Sequence, residues 1–335
     1  MTAPAAAGAE GARLRPAALC RSWLFLEGAN ERVLIDAPAS GADVLIQELE
    51  DFTPPALRAQ ARQIATELYA AWRAAGAVAA VRVNPLDGDG MDDLAAVMRG
   101  RPDIVALPKV AEPCHIVRLD EAVTRFERDY GIPQGATALL PNIEFARGLV
   151  QTDGIAKASP RVTACLLAAE DLAADLGAER APDGVELAYC RQRFVVECVA
   201  SGVVAVDCPY TWSDAEGVAC DTRWARRLGY VAKSLVDPGH AGIVNGILSP
   251  DDEELDRARK IVTAFETARA RGEARVEFDG SLVEVPTYAN ARRLIARGEA
   301  IRAWAQGSCE SRSSPRQGEP LPARGRGDDR VRSSI

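Results

Sequence analysis

The stretch from Thr137 to Gly177, TALLPNIEFARGLVQTDGIAKASPRVTACLLAAEDLAADLG, decides the fold. It contains two short apolar runs, 138–144 and 162–171, and each run ends in carboxylates. Each is short enough to be a buried strand, and the segment 149–159 between them has the spacing of an amphipathic helix. A strand–helix–strand connection is almost always local and right-handed, so the two strands are expected to be parallel neighbours. Their C-terminal ends then bring Glu144 and Asp171 to one rim.

Two carboxylates that meet in this way repel each other unless a proton or a hard cation lies between them. For either acid alone, capping of the helix that follows is an equally good interpretation. Both strands ending in acids favours a shared site.

The same alternation of strand and helix continues along the chain. Besides the central pair, the pattern predicts strands at 22–27, 43–48, 78–83, 103–107, 203–207 and 230–236. Eight such units match a (β/α)8 barrel, for which about 250 residues is typical. An open doubly wound sheet is the alternative, but the sequence has neither GxGxxG nor GxxxxGK after a strand.

Charged residues collect at the predicted C-terminal ends of the strands, where barrels of this kind carry their active sites. The opposite ends show no comparable cluster, and this asymmetry indicates an enzyme. The predicted rim consists of Glu27, Glu48, Glu50, Asp51, Arg82, Lys109, Glu144, Glu170, Asp171, Asp207, Lys233 and Asp237.

Composition excludes several classes of protein. A net charge of −8 argues against nucleic acid as a partner, because phosphate neutralisation needs a basic face. No apolar run approaches the length of a membrane span, and residues 1–16 lack a secretory hydrophobic core. The eight cysteines are scattered without a CxxC pair, so a reduced, cytoplasmic protein is expected. The presence of only two histidines argues against a histidine-rich zinc site.

The predicted domain organisation has four parts. Residues 1–18 are expected to be a disordered tail, 19–247 the barrel, 248–305 a C-terminal helix with a short lid segment, and 306–335 a second disordered tail. The C-terminal segment is too small to fold alone and must pack on the barrel or on a neighbouring subunit.

Seven motifs in order along the chain are similar to those of one family. They are RSWLFLEG (21–28), ELED (48–51), VRVN (81–84), LPKV (107–110), IEFARG (143–148), AEDLAADLG (169–177) and IVNGILSP (243–250). Together they resemble the citrate lyase β-subunit and malyl-CoA lyase group of the HpcH/HpaI aldolase superfamily, over roughly 21–301.

The resemblance implies a Mg²⁺-dependent carbon–carbon lyase that cleaves or forms a 3-hydroxyacyl-CoA, such as malyl-CoA or citramalyl-CoA. The products of cleavage would be acetyl-CoA and a 2-oxo acid. It further implies that Glu144 and Asp171 hold the metal, whose octahedral shell suits carboxylates, substrate oxygens and waters. Arg82 would face the oxygen that becomes negative, with a planar fork that lysine lacks.

Other roles follow from the same resemblance. Glu50 and Asp51 would orient metal-bound waters, and Lys109 would lie with Arg82 and Glu144 at the substrate. Glu284, in place of an aspartate, would act as general acid or base across a subunit boundary, with the alternation carrying Leu282 and Glu284 inward together. A homo-oligomer, trimer or hexamer, is therefore expected.

Some positions depart from the family pattern. Glu27 replaces a proline, Asp237 a histidine and Ala168-Ala169 an aromatic–glycine pair, so the identity of the acyl-CoA stays open. Arg21 and Arg32 are candidates for the CoA phosphates, with surface or ion-pair roles as the alternative. Two other functions remain: a class II aldolase acting on a free 2-oxo acid, or a citrate lyase β-subunit-like component without catalysis of its own.

Overall fold

The computed structural model describes residues 14–313, and within them the chain forms a closed parallel barrel in the order β1 to β8. The predicted (β/α)8 barrel is therefore confirmed. The strands are β1 (Ser22–Glu27), β2 (Val44–Glu48), β3 (Val78–Arg82), β4 (Ile104–Leu107), β5 (Ala138–Ile143), β6 (Ala164–Leu167), β7 (Val204–Asp207) and β8 (Ala232–Leu235).

Helices cover the outside of the barrel. They are α1 (Glu31–Asp36), α2 (Arg58–Ala74), α3 (Gly90–Val97), α4 (Pro113–Asp129), α5 (Ala146–Leu149), α6 (Thr152–Ala156), α7 (Ala169–Leu176), α8 (Ala188–Ser201), α9 (Ala215–Leu228), α10 (Ala241–Leu248), α11 (Asp252–Ala270) and α12 (Val285–Ser313). In the described part of the chain, no helix is long and apolar enough to cross a membrane.

Alternation along the strands divides the core into two layers. Trp23, Ile46 and Leu140 belong to the cluster that fills the barrel, whereas Leu24 and Leu45 pack outward against the helices. Because the inward phase of β5 continues from Leu140, Asn142 and then Glu144 are directed into the C-terminal mouth.

The N-terminal end of the barrel is closed by a different set of charges. Asp43 accepts hydrogen bonds from Arg21 Nε at 2.9 Å and from Arg15 Nη1 at 2.7 Å. A second anchor holds the start of β5: Glu127, at the end of α4, accepts from the Thr137 N–H at 2.9 Å and from Arg161 Nη2 at 2.6 Å. These contacts fix the strands from which the site residues project.

Two local predictions around β6 were wrong. The strand ends at Leu167, so Glu170 and Asp171 lie in the first turn of α7 instead of on the strand. Between β5 and β6 the chain forms the two short helices α5 and α6 in place of one helix. Gly148 in α5 allows the close approach to the segment that follows β4, because a Cβ there would lie 2.3 Å from the Val110 carbonyl oxygen.

The C-terminal segment packs on its own barrel. A capping box between Asp251 and Glu254 starts α11, and α12 packs against it. Arg297 of α12 donates to the Val231 carbonyl at 3.0 Å, next to the N-terminal end of the barrel. The last helix runs from Val285 to Ser313.

A two-stranded hairpin, β9 (Val276–Phe278) and β10 (Ser281–Val283), joins α11 to α12. Val283 is buried, while Leu282 and Glu284 are exposed. The predicted inward orientation of Leu282 and Glu284 was therefore wrong within a single subunit, because the opposite phase of the hairpin packs on the helices. The tails predicted at 1–18 and 306–335 lie largely outside the described residues.

Candidate active site

Glu144 and Asp171 meet at the C-terminal rim. Glu144 directly follows β5, and Asp171 lies in the first turn of α7 after β6. The register Ile143↔Leu167 sets the ends of these two strands side by side. Asp171 lies close enough for its negative charge to raise the pKa of Glu144.

Glu144 is fully buried, and within residues 14–313 neither of its carboxylate oxygens has a hydrogen-bond partner. Burial raises its pKa to about 8; the charges of Glu50 and Asp171 add to the effect, while Arg82 and Lys109 oppose it. Isolated buried carboxylates are costly, and buried polar groups are normally bonded. Glu144 therefore lacks the hydrogen bonds that normally stabilise a buried negative charge, and a bound cation or a proton would supply that stabilisation.

Arg82, at the end of β3, carries the positive charge nearest to this carboxylate. Its Nε donates to Glu48 at 2.9 Å, Nη2 lies 3.5 Å from Glu50, and Nη1 lies 3.6 Å from Glu144. Burial would lower its pKa, but the three carboxylates outweigh burial and raise it. Each arm of the guanidinium thus faces a different acid.

The ELED segment after β2 supplies the remaining acids. Glu48 is fixed as a structural acceptor, because the N–H groups of Glu50 and Phe52 also donate to it, at 2.7 and 2.6 Å. Glu50 is buried and accepts from Lys109 at 2.5 Å; Asp51 is half exposed, 3.5 Å from the same ammonium. Burial raises the pKa of Glu50 against the opposing charge of Arg82.

Lys109 has a left-handed backbone, with φ of 56°. Non-glycine residues seldom adopt this conformation, and its cost is usually tolerated at functional sites. It also borders a pocket of about 370 Å³, part of it open to solvent, that includes His115 and Arg118. Asp87 and Pro108 also line this pocket, so it lies on the outer side of Lys109.

Asn142 is a site residue that the sequence reasoning missed. It is fully buried, two positions before Glu144 on the inward face of β5, and neither amide atom has a partner among the described residues. An amide offers both donors and acceptors, so it can bond to a ligand oxygen or to a water. An isolated polar residue on the inward phase of an apolar strand was the signal that could have revealed it.

Glu170 lies next to Asp171 but is held elsewhere. It accepts from Arg180 Nε at 3.1 Å and from the Thr211 hydroxyl at 3.0 Å. For Asp171 the structure gives no such hydrogen bond within residues 14–313. The two adjacent acids therefore differ in their hydrogen-bond partners, and Asp171 is the one that remains available to a ligand.

Several predicted rim residues lie outside the site. Asp207 and Lys233 point outward from the barrel and pair with each other at 2.7 Å, in a buried network with Arg191 and Asp221. The prediction placed them at the mouth because it considered only that they lie near the C-terminal ends of strands. Side chains alternate between the two faces of a strand, and on β7 and β8 this alternation directs both residues outward. Arg21 is bound to Asp43 at the far end of the barrel, which contradicts a role with CoA phosphates.

Three other positions have simpler surroundings. Asp237 accepts from the Gly239 N–H at 2.8 Å and caps the turn after β8. Glu27 ends β1 opposite Glu48 in the register, and Arg32 is exposed. Glu284, directly after β10, is exposed.

The residues present fit a hard divalent cation. Two carboxylates converge, and among the described residues the buried one accepts no hydrogen bond and the Asn142 amide beneath it makes none. Oxygen ligands of this kind suit Mg²⁺, which commonly keeps several waters and takes only one or two protein carboxylates. No group of three or more histidine, cysteine or acidic side chains able to hold a metal occurs in the described part of the chain, so substrate and water would complete the shell.

Comparison with known proteins supports the same chemistry. Residues 21–238 match the family described as HpcH/HpaI aldolase/citrate lyase. The chain belongs to this family. The predicted resemblance is confirmed, and so at family level is the prediction of a carbon–carbon lyase.

Members of the HpcH/HpaI family with curated functions align along most of the chain. The citrate lyase subunit beta of Leuconostoc mesenteroides subsp. cremoris is 31% identical, over 84% of this chain and 94% of its own. A (3S)-malyl-CoA thioesterase of Cereibacter sphaeroides is 30% identical, over 85% and 96%.

A solved structure also aligns. Protein CitE from Mycobacterium tuberculosis, in complex with magnesium, acetoacetate and coenzyme A, is 26% identical with a TM-score of 0.66. The alignment covers 83% of this chain and 98% of that one.

Proposed function

We propose that this protein is a Mg²⁺-dependent lyase that cleaves or forms a 3-hydroxyacyl-CoA, yielding acetyl-CoA and a 2-oxo acid. The observation that carries the proposal is the buried carboxylate of Glu144, which accepts no hydrogen bond within the described residues and lies beside Asp171 and Arg82. The CitE structure with magnesium, acetoacetate and coenzyme A supports it.

Glu144 and Asp171 would hold the metal. When bound, Mg²⁺ would act as a Lewis acid toward substrate oxygens. Glu50 and Asp51 would accept hydrogen bonds from waters at this position, with Lys109 holding Glu50 in place. The Asn142 amide would bond to an oxygen at the floor of the mouth.

Arg82 would stabilise charge that develops during cleavage. In that direction, the bond between the hydroxyl-bearing carbon and the α-carbon of the thioester breaks. The hydroxyl proton leaves to a base, the carbonyl of the 2-oxo acid forms, and the electron pair remains on the acyl-CoA as an enolate that is then protonated. Preorganised donors at such a charge typically contribute about 10²–10³ in rate.

Glu284 of a neighbouring subunit would exchange the proton at the acyl-CoA carbon. Its exposure within its own subunit supports this arrangement, because it leaves the carboxylate free to reach across a boundary.

The metal assignment is tested by titrating Mg²⁺ into the protein calorimetrically. We expect Asp171→Ala to abolish binding and activity while the circular dichroism spectrum is retained. Glu170→Ala is the matched control, because Arg180 and Thr211 already occupy the Glu170 carboxylate. Equal losses from both variants, or full activity in EDTA, would exclude this metal site.

Hydrolysis of the thioester is a second candidate, favoured by the similarity to (3S)-malyl-CoA thioesterases. Malyl-CoA and citramalyl-CoA distinguish the two reactions when both products are measured. A lyase releases a 2-oxo acid without free thiol, whereas a thioesterase releases free CoA thiol without a 2-oxo acid. Turnover of neither ester would instead favour a citrate lyase β-subunit-like component, and turnover of a free hydroxy-oxo acid would favour a class II aldolase.

A further inference from the structure

Two aromatic rings lie against the guanidinium of Arg82. Its Cζ is 5.1 Å from the ring centroid of Phe25 and 5.6 Å from that of Phe52. A cation within about 6 Å of an aromatic centroid is attracted by the negative face of the ring. Phe25 lies on β1 and is buried in the interior of the barrel, whereas Phe52 follows the ELED segment and is 42% exposed. Of these two rings, that of Phe52 therefore reaches solvent.

Hydrogen bonds fix the backbone that carries Phe52. Its N–H donates to Glu48 Oε2 at 2.6 Å, and the other oxygen of that carboxylate accepts from Arg82 Nε at 2.9 Å. The hydroxyl of Thr53 donates to the Glu48 carbonyl at 2.5 Å and accepts from the Gly28 N–H at 2.9 Å. The exposed ring thus extends from a fixed turn, and a single carboxylate ties this turn to the guanidinium.

The outer nitrogens of Arg82 are held less firmly than Nε. Nη1 lies 3.6 Å from Glu144 and Nη2 lies 3.5 Å from Glu50. Both separations exceed the range of about 2.7–3.2 Å that is usual for a hydrogen bond from nitrogen to oxygen. Charge attraction at these separations has little directionality, so the carboxylates alone define the orientation of the guanidinium poorly.

We propose that Phe52 is a positioning residue that holds the guanidinium of Arg82 through a cation–π contact. The inference rests on the proposed lyase function, in which Arg82 stabilises the charge that develops on the substrate. An aromatic face attracts a cation without accepting a strong hydrogen bond from it, as a carboxylate does. The outer N–H groups of Arg82 therefore stay available to the substrate, while the ring restrains their direction.

A role of Phe52 in the apolar core is a poor explanation of its position. Within residues 14–313, Phe52 is not among the side chains that form the two core clusters. An effect of its replacement on catalysis would therefore not follow from a lost core contact.

Fluorination of the Phe52 ring tests the contact, because fluorine weakens the negative face of the ring and changes its shape little. Phenylalanine analogues with one, two and three ring fluorines can be introduced at position 52 by nonsense suppression. We expect kcat for 2-oxo acid release to fall stepwise, by about two- to fivefold in total, which corresponds to a cation–π contact at an exposed site. The value of kcat/KM should fall equally, because the contact acts in the transition state.

Urea denaturation of the ligand-free protein is a second readout, and it needs no activity. The equilibrium constant for unfolding should rise by about two- to fivefold from phenylalanine to the trifluoro analogue. If the wild-type protein turned over neither malyl-CoA nor citramalyl-CoA, the proposed function would fail. The urea series would still decide whether the ring holds Arg82.

Phe194 is the matched control position. Its ring is fully buried in the core, and none of the cation–π contacts in the described part of the chain involves it. Fluorination of Phe194 should leave kcat at the wild-type value. At position 52, Phe52→Leu keeps apolar bulk without a ring and should lower kcat at least as far as the trifluoro analogue, whereas Phe52→Tyr keeps the ring and should retain most of the wild-type kcat.

The same series can overturn the proposal. An unchanged kcat and an unchanged urea midpoint across the fluorinated analogues would do so even if Phe52→Leu were less active, because apolar bulk alone would then account for that loss. A wild-type kcat in Phe52→Leu would also overturn it, and so would an equal fall of kcat on fluorination of Phe194.

Discussion

Replacement of Arg82 by lysine keeps the charge of the site but removes the planar fork. In the protein three different nitrogens of Arg82 face Glu48, Glu50 and Glu144, at 2.9, 3.5 and 3.6 Å. A single ammonium cannot reach all three acids at once. A hydrogen bond to a charged group contributes about 1.5–3 kcal/mol, so we expect the free energy of unfolding to fall by about 2 kcal/mol.

Catalysis should suffer separately from stability. Loss of the arm that faces Glu144 should lower kcat at least about tenfold, equivalent to about 1.4 kcal/mol of transition-state stabilisation. Urea denaturation measures the first effect, and 2-oxo acid release from malyl-CoA or citramalyl-CoA measures the second. Arg118→Lys is the control, because its ion pair with Asp87 is exposed on the same rim and should contribute little. Wild-type stability and rate in Arg82→Lys would refute the reasoning and leave Arg82 as an interchangeable counter-ion.

Three further outcomes are expected. Burial alone would raise the pKa of Glu127, but bonds from Arg161 and two backbone N–H groups lower it. The ionised Glu127 carboxylate therefore stabilises the folded protein above the unfolded pKa of about 4.3, and this stabilisation is lost as pH falls through the folded pKa. Glu127→Gln should lower the urea midpoint at pH 7, and the difference from wild type should become smaller in acid. Asn142→Leu should raise the melting temperature of the ligand-free protein, because it removes a buried amide that makes no hydrogen bond among the described residues, and should lower kcat/KM at least about tenfold. A lower melting temperature with unchanged kinetics would show that Asn142 has a structural role. Glu284→Gln should bind Mg²⁺ normally but lose proton exchange at the acyl-CoA methyl group. Mixed oligomers of Glu284→Gln and Asp171→Ala subunits should regain activity. If mass spectrometry confirms subunit exchange and no activity returns, Glu284 does not act across a subunit boundary.

The comparison of sequence with structure separates two kinds of site residue. The position of Glu144 was predictable because it follows a short apolar strand, and the C-terminal ends of all parallel strands in a barrel lie at the same rim. Asp207 and Lys233 also end or lie on strands, yet they turn outward into a buried ion network. The sequence pattern locates the end of a strand. Whether a residue there faces the barrel interior or the helices depends on which side chains fill the interior once the barrel is closed.

Partner choice was likewise beyond the reach of sequence reasoning. Glu170 and Asp171 are adjacent acids, and the sequence does not indicate which of the two carboxylates is bound by other side chains. Arg180 and Thr211 come from later segments of the chain and take Glu170. The exposure of Glu284 has the same origin, because packing of Val283 sets the phase of the hairpin.

By itself, the sequence determined the barrel, its order of strands and the rim that collects acids. These depend on local periodicity and on the right-handed connection between parallel strands, both of which act over short stretches of chain. Only the tertiary structure decided that Glu144 is buried without a hydrogen bond among the described residues, that the guanidinium of Arg82 faces three acids, and that Asn142 lies beneath them. Those properties depend on desolvation and on contacts between distant segments, which exist only once the barrel has closed.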